Sequence, residues 1–171
     1  LINFSLKALI IILITSLLLI FSAFFYFSSG LPDYKKLSNY QPPISSRVYS
    51  KDGKLIAEYA LEKRLFVPYD SIPIKVINSF LSAEDKNFFN HPGVDAKGIL
   101  RAIINNIKNI SQNKRLEGAS TITQQVAKNF LLTNEVSIKR KIKEAILAFR
   151  IERAYSKERI LELYLNQIYL G

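Results

Sequence analysis

Two carboxylates and a group of cations are the residues of this chain whose types and spacing could do chemistry. The first carboxylate, Glu84, opens the string EDKNFFNH, and the second, Glu144, closes the basic string RKIKE. Between them, the string GASTITQQVAKN supplies hydroxyl, amide and lysine side chains. A carboxylate can act as a general base, and cations can stabilise a departing anion. In series, these strings indicate the movement of a sugar off an anionic leaving group.

Glu84 is predicted to lie at the end of a helix in apolar surroundings. Its apolar neighbours along the chain are Phe80, Leu81, Phe88 and Phe89. Such a setting would disfavour the ionised carboxylate and suit a general base. Adjacent helix positions diverge by about 100°, so we expect Asp85 to point away from any cleft that Glu84 faces. For this string alone, the alternative is an exposed acidic turn.

Glu144 has the opposite predicted environment, because four cations share its stretch of helix: Lys139, Arg140, Lys141 and Lys143. We expect Glu144 to stay ionised, where it could hold a cation, orient Arg140 or stabilise positive character at a reacting sugar carbon. The alternative is an ordinary pair with Arg140, four residues earlier, on a solvated helix, which contributes about 0.2–0.5 kcal/mol.

A polar stripe is predicted on the helix that follows Gly118. Thr121, Gln125 and Lys128 recur at i, i+4 and i+7 and therefore share one helical face. Together with free backbone N–H groups at the start of this helix, they could bind a pyrophosphate. The alternative is a capped surface helix.

The elements that must position these residues begin with an apolar helix. Residues 8–27 carry no charge and would span about 30 Å as a helix, which matches the hydrocarbon core of a bilayer. We predict a transmembrane anchor over residues 1–28. A cleaved signal peptide, with a shorter apolar region, and a buried helix are the alternatives.

The rest of the chain is predicted to be mainly α-helical. Residues 29–46 contain three prolines and indicate a linker, and residues 47–59 indicate a β-hairpin around Asp52-Gly53. Beyond this hairpin, residues 111–115 form a polar loop that is a candidate for mobility. Apolar periodicity predicts five helices over residues 73–84, 95–110, 121–132, 138–154 and 157–168, the last with Ser156 as its N-cap. Ile99, Ile103 and Ile107 are predicted to share one face of the second helix. On the fourth helix, Ile142, Ile146 and Phe149 are predicted to point inward.

Composition narrows the partners and excludes some kinds of site. The formal net charge is +10, nearly all of it beyond residue 30, which favours anionic partners such as phospholipid, pyrophosphate or nucleic acid. No nucleic-acid-binding motif accompanies this charge, so we expect no nucleic-acid partner. The chain has no cysteine and one histidine, His91. Disulfides and Cys-based or histidine-rich metal centres are therefore excluded.

These strings, followed by KERILELYLN, resemble the peptidoglycan glycosyltransferases (glycosyltransferase family 51) of class A penicillin-binding proteins, and look closest to the 1A type. The resemblance covers residues 47–171. It implies a lysozyme-like helical glycosyltransferase domain there, incomplete at its C-terminus, in an N-terminal fragment of a longer protein. It also implies a single-pass protein of the cytoplasmic membrane whose catalytic domain lies outside the cytoplasm.

The resemblance also implies roles for individual residues. Glu84 would be the catalytic base and Glu144 the second catalytic carboxylate. The implied substrate-binding residues either shape the site or contact the pyrophosphate or sugars. The shaping residues are Asp85, Phe88 and His91, and the contacting residues are Thr121, Gln125, Lys128 and Arg140. Glu162, Tyr164 and Asn166 would mostly support the fold. One departure is Ala119, where the family often has a second glycine.

The implied activity is the processive, inverting polymerisation of lipid II into glycan strands with release of undecaprenyl pyrophosphate. A divalent cation such as Mg²⁺ near Glu144 is an expected optional cofactor, with its ligands unknown. Lipid II, the nascent glycan strand, the membrane and other cell-wall synthesis proteins are the expected partners. Two alternatives stay open: a lysozyme-like lytic enzyme that cleaves glycan, and a non-catalytic membrane-anchored scaffold.

Overall fold

The computed structural model of the chain describes residues 2–38, 40, 46–59, 65–133 and 135–168. Within these residues the fold is mainly α-helical, with one two-stranded antiparallel sheet, which confirms the predicted fold class. The six helices are α1 (Ile2–Ser28), α2 (Ile74–Glu84), α3 (Ala96–Ser111), α4 (Ile122–Leu131), α5 (Ile138–Ala154) and α6 (Lys157–Gln167).

Side-chain caps explain where the last three helices begin. Thr121 accepts a hydrogen bond from the backbone N–H of Gln124 at the start of α4, in a reciprocal capping box. Ser137 caps α5 by accepting a hydrogen bond from the backbone N–H of Arg140. Ser156 caps α6, as predicted. These caps satisfy backbone donors that have no partner inside the helix, so each helix begins at a defined residue.

The predicted hairpin is also present. Strand β1 (Ser46–Tyr49) pairs with β2 (Leu55–Tyr59), and Val48 lies opposite Ala57. Gly53 in the turn has a φ of +79°, a conformation that glycine adopts without steric cost. Residues 65–68 form no strand. Val67 instead donates its backbone N–H to Oδ1 of Asn166 on α6, at 2.8 Å.

The hydrophobic core lies where α4, α5 and α6 pack together. Val126, Leu147 and Ile160, one from each helix, have almost no exposed surface. Burying such a side chain contributes about 1.5–3 kcal/mol to folding. The core therefore fixes α4 relative to α5, and these two helices carry most of the cationic residues of the site.

Part of the segment predicted as a linker packs against this core. Leu37 is buried within it, and Tyr155 donates its hydroxyl hydrogen bond to the carbonyl of Tyr34 at 3.0 Å. Residues 39 and 41–45 of the same segment lie outside the described residues. The start of the glycosyltransferase domain at residue 47 stays a prediction, while Leu31, Tyr34 and Tyr40 of the preceding segment pack against the core.

Two apolar helical faces have no cover from the described part of the chain. Helix α1 is long and apolar enough to cross a membrane, and none of its apolar window is buried. On α3, Ile103 and Ile107 share a face as predicted, but that face is exposed. The prediction that Phe149 points inward is wrong, because its side chain is 44% exposed, whereas Ile146 on the same helix is buried as expected. Periodicity identifies an apolar face but not what covers it.

Candidate active site

One cleft brings the two predicted carboxylates together. A cavity of about 550 Å³ lies between the end of α2, residues 117–120 and the facing sides of α4 and α5. Glu84 lines it from α2 and Glu144 lines it from α5. Its other polar lining residues are Arg101, Glu117, Ser120, Gln125, Lys128, Arg140 and Lys141.

A second cavity, of about 430 Å³, adjoins the first. Glu84, Arg101, Glu117 and Ser120 line both, so Glu84 lies at their boundary. The two cavities differ in charge. Four cationic side chains and three carboxylates line the first, whereas two cationic side chains and four carboxylates line the second. We call them the cationic cavity and the acidic cavity.

Glu84 is the last residue of α2, and its side chain is exposed. Its Oε2 accepts a hydrogen bond from Nε2 of Gln125 at 2.8 Å. The apolar surroundings predicted for Glu84 are not present. Because α2 ends at Glu84, Phe88 is not one helical turn further along the same helix but is buried in a following 3₁₀ turn. Phe89 is exposed.

Asp85 does not line the cationic cavity, but it lines the acidic cavity together with Glu84, so the prediction that Asp85 points away from any cleft that Glu84 faces holds only for the cationic cavity. Asp85 also connects the end of α2 to the start of α4. Its carboxylate accepts hydrogen bonds from Nε2 of His91 at 3.0 Å and from the backbone N–H of Ile122 at 3.1 Å. The second contact places a negative charge at the N-terminus of α4, which is favourable. The backbone N–H of Gly93 donates to Nδ1 of His91, so the ring proton lies on Nε2. Asp85 and His91 thereby hold Glu84 in register with α4.

Gly93 allows this loop to lie against α5. Its φ is +96°, and a Cβ at this position would lie 2.8 Å from the backbone carbonyl of Ala148. The carbonyl of Gly93 also accepts a hydrogen bond from the hydroxyl of Thr121 at 2.6 Å. Thr121, predicted to contact substrate, thus uses its hydroxyl within the fold, although it lines the acidic cavity.

Phe88 and His91 are buried and line neither cavity. The Nζ of Lys157 lies 4.3 Å from the centre of the Phe88 ring and donates to the carbonyl of His91 at 2.8 Å. Lys157 also pairs with Glu152, at 2.8 Å. Phe88 and His91 can therefore shape the site, as the resemblance implied, but in this structure they do not reach the cleft.

Glu144 is buried, with 2% of its side chain exposed, although it faces the cationic cavity. Its Oε1 lies 3.3 Å from Nη1 of Arg140, and its Oε2 lies 2.7 Å from Nζ of Lys141. Lys141 also donates to the hydroxyl of Ser120, at 2.6 Å. A solvated surface pair is thereby excluded. The Arg140 contact lacks hydrogen-bond geometry, and among the described residues Glu144 Oε1 and Arg140 Nε have no hydrogen-bond partner.

The donor set around Glu144 does not fit a divalent cation. Each carboxylate oxygen already faces a positive side chain. Among the described residues, no group of three or more His, Cys, Asp or Glu side chains could hold a metal ion. Mg²⁺ stays a prediction, and we assign it no step.

The sequence analysis did not predict the hydrogen bonds that join α3 to the loop after it. Glu117 accepts hydrogen bonds from Nε of Arg101 at 3.0 Å and from Nδ2 of Asn105 at 2.7 Å. The bond from Asn105 is the main reason that the pKa of the Glu117 carboxyl is lowered. Asn106 bonds both backbone groups of Glu117, and Asn109 donates to the carbonyl of Arg115. The loop predicted to be mobile is therefore tied to α3, and the asparagines one turn apart were the available signal.

Comparison with known proteins adds an independent observation. A family model described as Transglycosylase matches residues 52–171. Penicillin-binding protein 1A of Rickettsia felis is 62% identical over 147 residues, covering 86% of this chain and 19% of that protein. The Aquifex aeolicus protein of the same name is 49% identical over 142 residues, covering 83% of this chain and 19% of that protein. Penicillin-binding protein 1A of Pseudomonas aeruginosa is 49% identical over 160 residues, 93% of this chain and 19% of that protein. The chain spans about one fifth of the length of these relatives.

Proposed function

The chain belongs to the transglycosylase family, and from that membership we propose that it carries the glycosyltransferase activity of peptidoglycan synthesis. The substrate would be lipid II, which the enzyme polymerises into glycan strands with release of undecaprenyl pyrophosphate. The observation that carries the proposal is the position of Glu84, an exposed carboxylate at the boundary of a cationic and an acidic cavity.

The cationic cavity suits the leaving group. Lys128, Arg140 and Lys141 line it together and would neutralise a pyrophosphate as its bond to the sugar breaks. An arginine fork is well matched to phosphate oxygens. The acidic cavity suits the acceptor sugar, because carboxylates and the hydroxyl of Ser120 can accept or donate hydrogen bonds to sugar hydroxyls.

Glu84 would act as general base between the two. As the acceptor 4-hydroxyl oxygen attacks the anomeric carbon of the donor, its proton passes to Glu84, and the bond from that carbon to the pyrophosphate oxygen breaks. A single displacement inverts the configuration of the anomeric carbon. Glu84 then returns the proton to solvent, which its exposure allows. Positioned proton transfer of this kind contributes about 10²–10⁴-fold to a rate.

Glu144 would position the cationic side chains rather than transfer a proton. It is buried between Arg140 and Lys141, so its charge holds both side chains at the wall of the cationic cavity. Gln125, which donates to Glu84 and lines the same cavity, would turn its amide to the bound pyrophosphate.

A membrane location accounts for the two uncovered apolar faces. Helix α1 would be the anchor, and the exposed apolar residues of α3 would lie at the membrane surface where a lipid-linked substrate arrives. We propose the cytoplasmic membrane, with the catalytic domain outside the cytoplasm. The nascent glycan strand and other cell-wall synthesis proteins would be further partners.

Two other functions compete with this one. A lytic enzyme also needs a catalytic carboxylate, but it needs no cationic cavity beside it. A non-catalytic scaffold needs neither carboxylate. The cationic lining around Glu144 therefore favours the glycosyltransferase.

The test is an assay of the full-length protein with two substrates, purified lipid II and purified glycan strands. We expect lipid II to be converted into polymer with one pyrophosphate carrier released per bond formed, and glycan strands to stay intact. Cleavage of glycan with no use of lipid II would establish the lytic enzyme. Inertness toward both would favour the scaffold.

A further inference from the structure

Tyr164, on α6, is a buried titratable residue that the proposed mechanism does not use. Only 1% of its surface is exposed. Its hydroxyl is fully buried and has no hydrogen-bond partner among the described residues. Buried polar groups are nearly always paired, and leaving one unpaired is costly. A phenylalanine would fill this place without that cost, so the hydroxyl requires an explanation.

The position of the ring relates this hydroxyl to Glu84. The Tyr164 ring packs edge-on against Phe80, with ring centres 6.1 Å apart. Phe80 lies on α2, four residues before Glu84, so the two side chains lie on the same side of that helix. The phenol therefore lies beneath the face of α2 that ends in Glu84.

The phenol stays a hydrogen-bond donor over the working pH range. Burial, and second the charge of Glu84, raise the pKa of Tyr164 to about 12. Glu84 is the charged group that acts on this phenol across the packing interface of α2 and α6. A neutral phenol next to a carboxylate is suited to donate to it.

We propose that Tyr164 is a positioning residue for Glu84. The buried hydroxyl of Tyr164 donates a hydrogen bond to the Glu84 carboxylate during the reaction. This inference rests on the proposed function, in which Glu84 is the base. At present Oε2 of Glu84 is held by Gln125, which also lines the cationic cavity. When the amide of Gln125 turns to a bound pyrophosphate, Glu84 loses that donor. The Tyr164 hydroxyl is then the donor beneath α2 that keeps the carboxylate in place.

The first test replaces the hydroxyl alone, with Tyr164→Phe in the full-length protein. We expect kcat for lipid II polymerisation to fall about ten- to a hundredfold, the usual effect of losing one hydrogen bond to a charged group, with KM nearly unchanged. The acid limb of the pH–rate profile should move to higher pH, because the lost donor favours the ionised carboxylate. The temperature of unfolding should stay the same or rise.

Tyr155→Phe is the matched control. The Tyr155 hydroxyl makes a hydrogen bond, to the carbonyl of Tyr34 at 3.0 Å, and Tyr155 lines neither cavity. This variant should unfold at a lower temperature and keep the wild-type pH–rate profile. A Tyr164→Phe protein that keeps the wild-type kcat and pH–rate profile, whatever its temperature of unfolding, would overturn the proposal.

A second measurement does not depend on activity. 3-Fluorotyrosine placed at position 164 gives one ¹⁹F signal, whose titration is followed with Glu84 and with Glu84→Gln. We expect the phenol to lose its proton at lower pH in the Glu84→Gln protein, because a negative charge has been removed. Identical titrations would overturn the proposal. A different result would show that the proposed function fails: full turnover of lipid II by the Glu84→Gln protein.

Discussion

The two carboxylates of the cleft are the same residue type in opposite surroundings. Glu84 is exposed at a helix end and held by one neutral amide. Glu144 lies within a helix, is almost fully buried, and faces two cations. An exposed carboxylate can exchange a proton with solvent, whereas a buried one is shielded from solvent and its oxygens face the two cations. In the proposed mechanism, environment rather than residue type assigns proton transfer to Glu84 and the positioning of the cations to Glu144.

Glu84→Gln removes the proposed general base and should have the largest effect on rate. We expect polymerisation to fall by about 10²–10⁴-fold, the contribution of a positioned base. Stability should not change, because the side chain is exposed and glutamine can still accept from Gln125. Initial rates with lipid II and thermal unfolding of the full-length protein measure both. Glu158→Gln, exposed on α6 and outside both cavities, is the control and should behave as wild type.

Glu144→Gln tests the role of the buried carboxylate, and we expect it to lower stability as well as rate. It leaves Arg140 and Lys141 without their counter-charge. Removing one partner of a fully buried pair costs about 3–5 kcal/mol, and since Lys141 is half exposed we expect about 1–3 kcal/mol here. The rate should also fall, because the cations lose their positions. Equal unfolding temperatures for the Glu84 and Glu144 variants would contradict the division of roles.

Arg140→Lys sharpens the comparison at the cationic cavity. Lysine keeps the charge but loses the planar fork, so we expect the KM for lipid II to rise about tenfold with a smaller change in kcat. The control is Lys139→Gln, which removes a neighbouring exposed cation that does not line the cavity. If Lys139→Gln raises KM and Arg140→Lys does not, net charge rather than the position of Arg140 explains binding.

Alkaline unfolding tests the burial of Tyr164 and should show the smallest effect. The pKa of Tyr164 is raised to about 12, above the value of about 10 expected when unfolded. Folding therefore favours the protonated phenol, and stability present below pH 10 is lost as pH rises toward 12. Tyr164→Phe should remove a slope of about 1.4 kcal/mol per pH unit over that range. Parallel stability curves for the two proteins would show that the phenol is not buried as described.

The helices, and the presence of both carboxylates in one cleft, could be predicted from the sequence. Apolar periodicity and caps such as Ser156 are local signals, and they locate helix ends to within a residue or two. The strings around Glu84, Thr121 and Glu144 carry the resemblance, and the resemblance implied a shared site for Glu84 and Glu144. Both kinds of signal lie within short stretches of chain.

What could not be predicted depends on contacts between distant residues. The polar surroundings of Glu84 follow from Gln125, 41 residues further along the chain. The hydrogen bonds to Glu117 form only because Arg101 faces it from α3. The outward direction of Ile103 and Phe149 depends on which helix covers which face. Apolar periodicity does not predict these contacts, because it describes one helix at a time.

The most direct test of the central claim measures lipid II binding and lipid II turnover in the same sample of Glu84→Gln protein. If Glu84 only moves the proton, binding should stay within about threefold of wild type while turnover falls below about one per cent. Turnover within tenfold of wild type, or a loss of binding that accounts for the loss of turnover, would contradict the account.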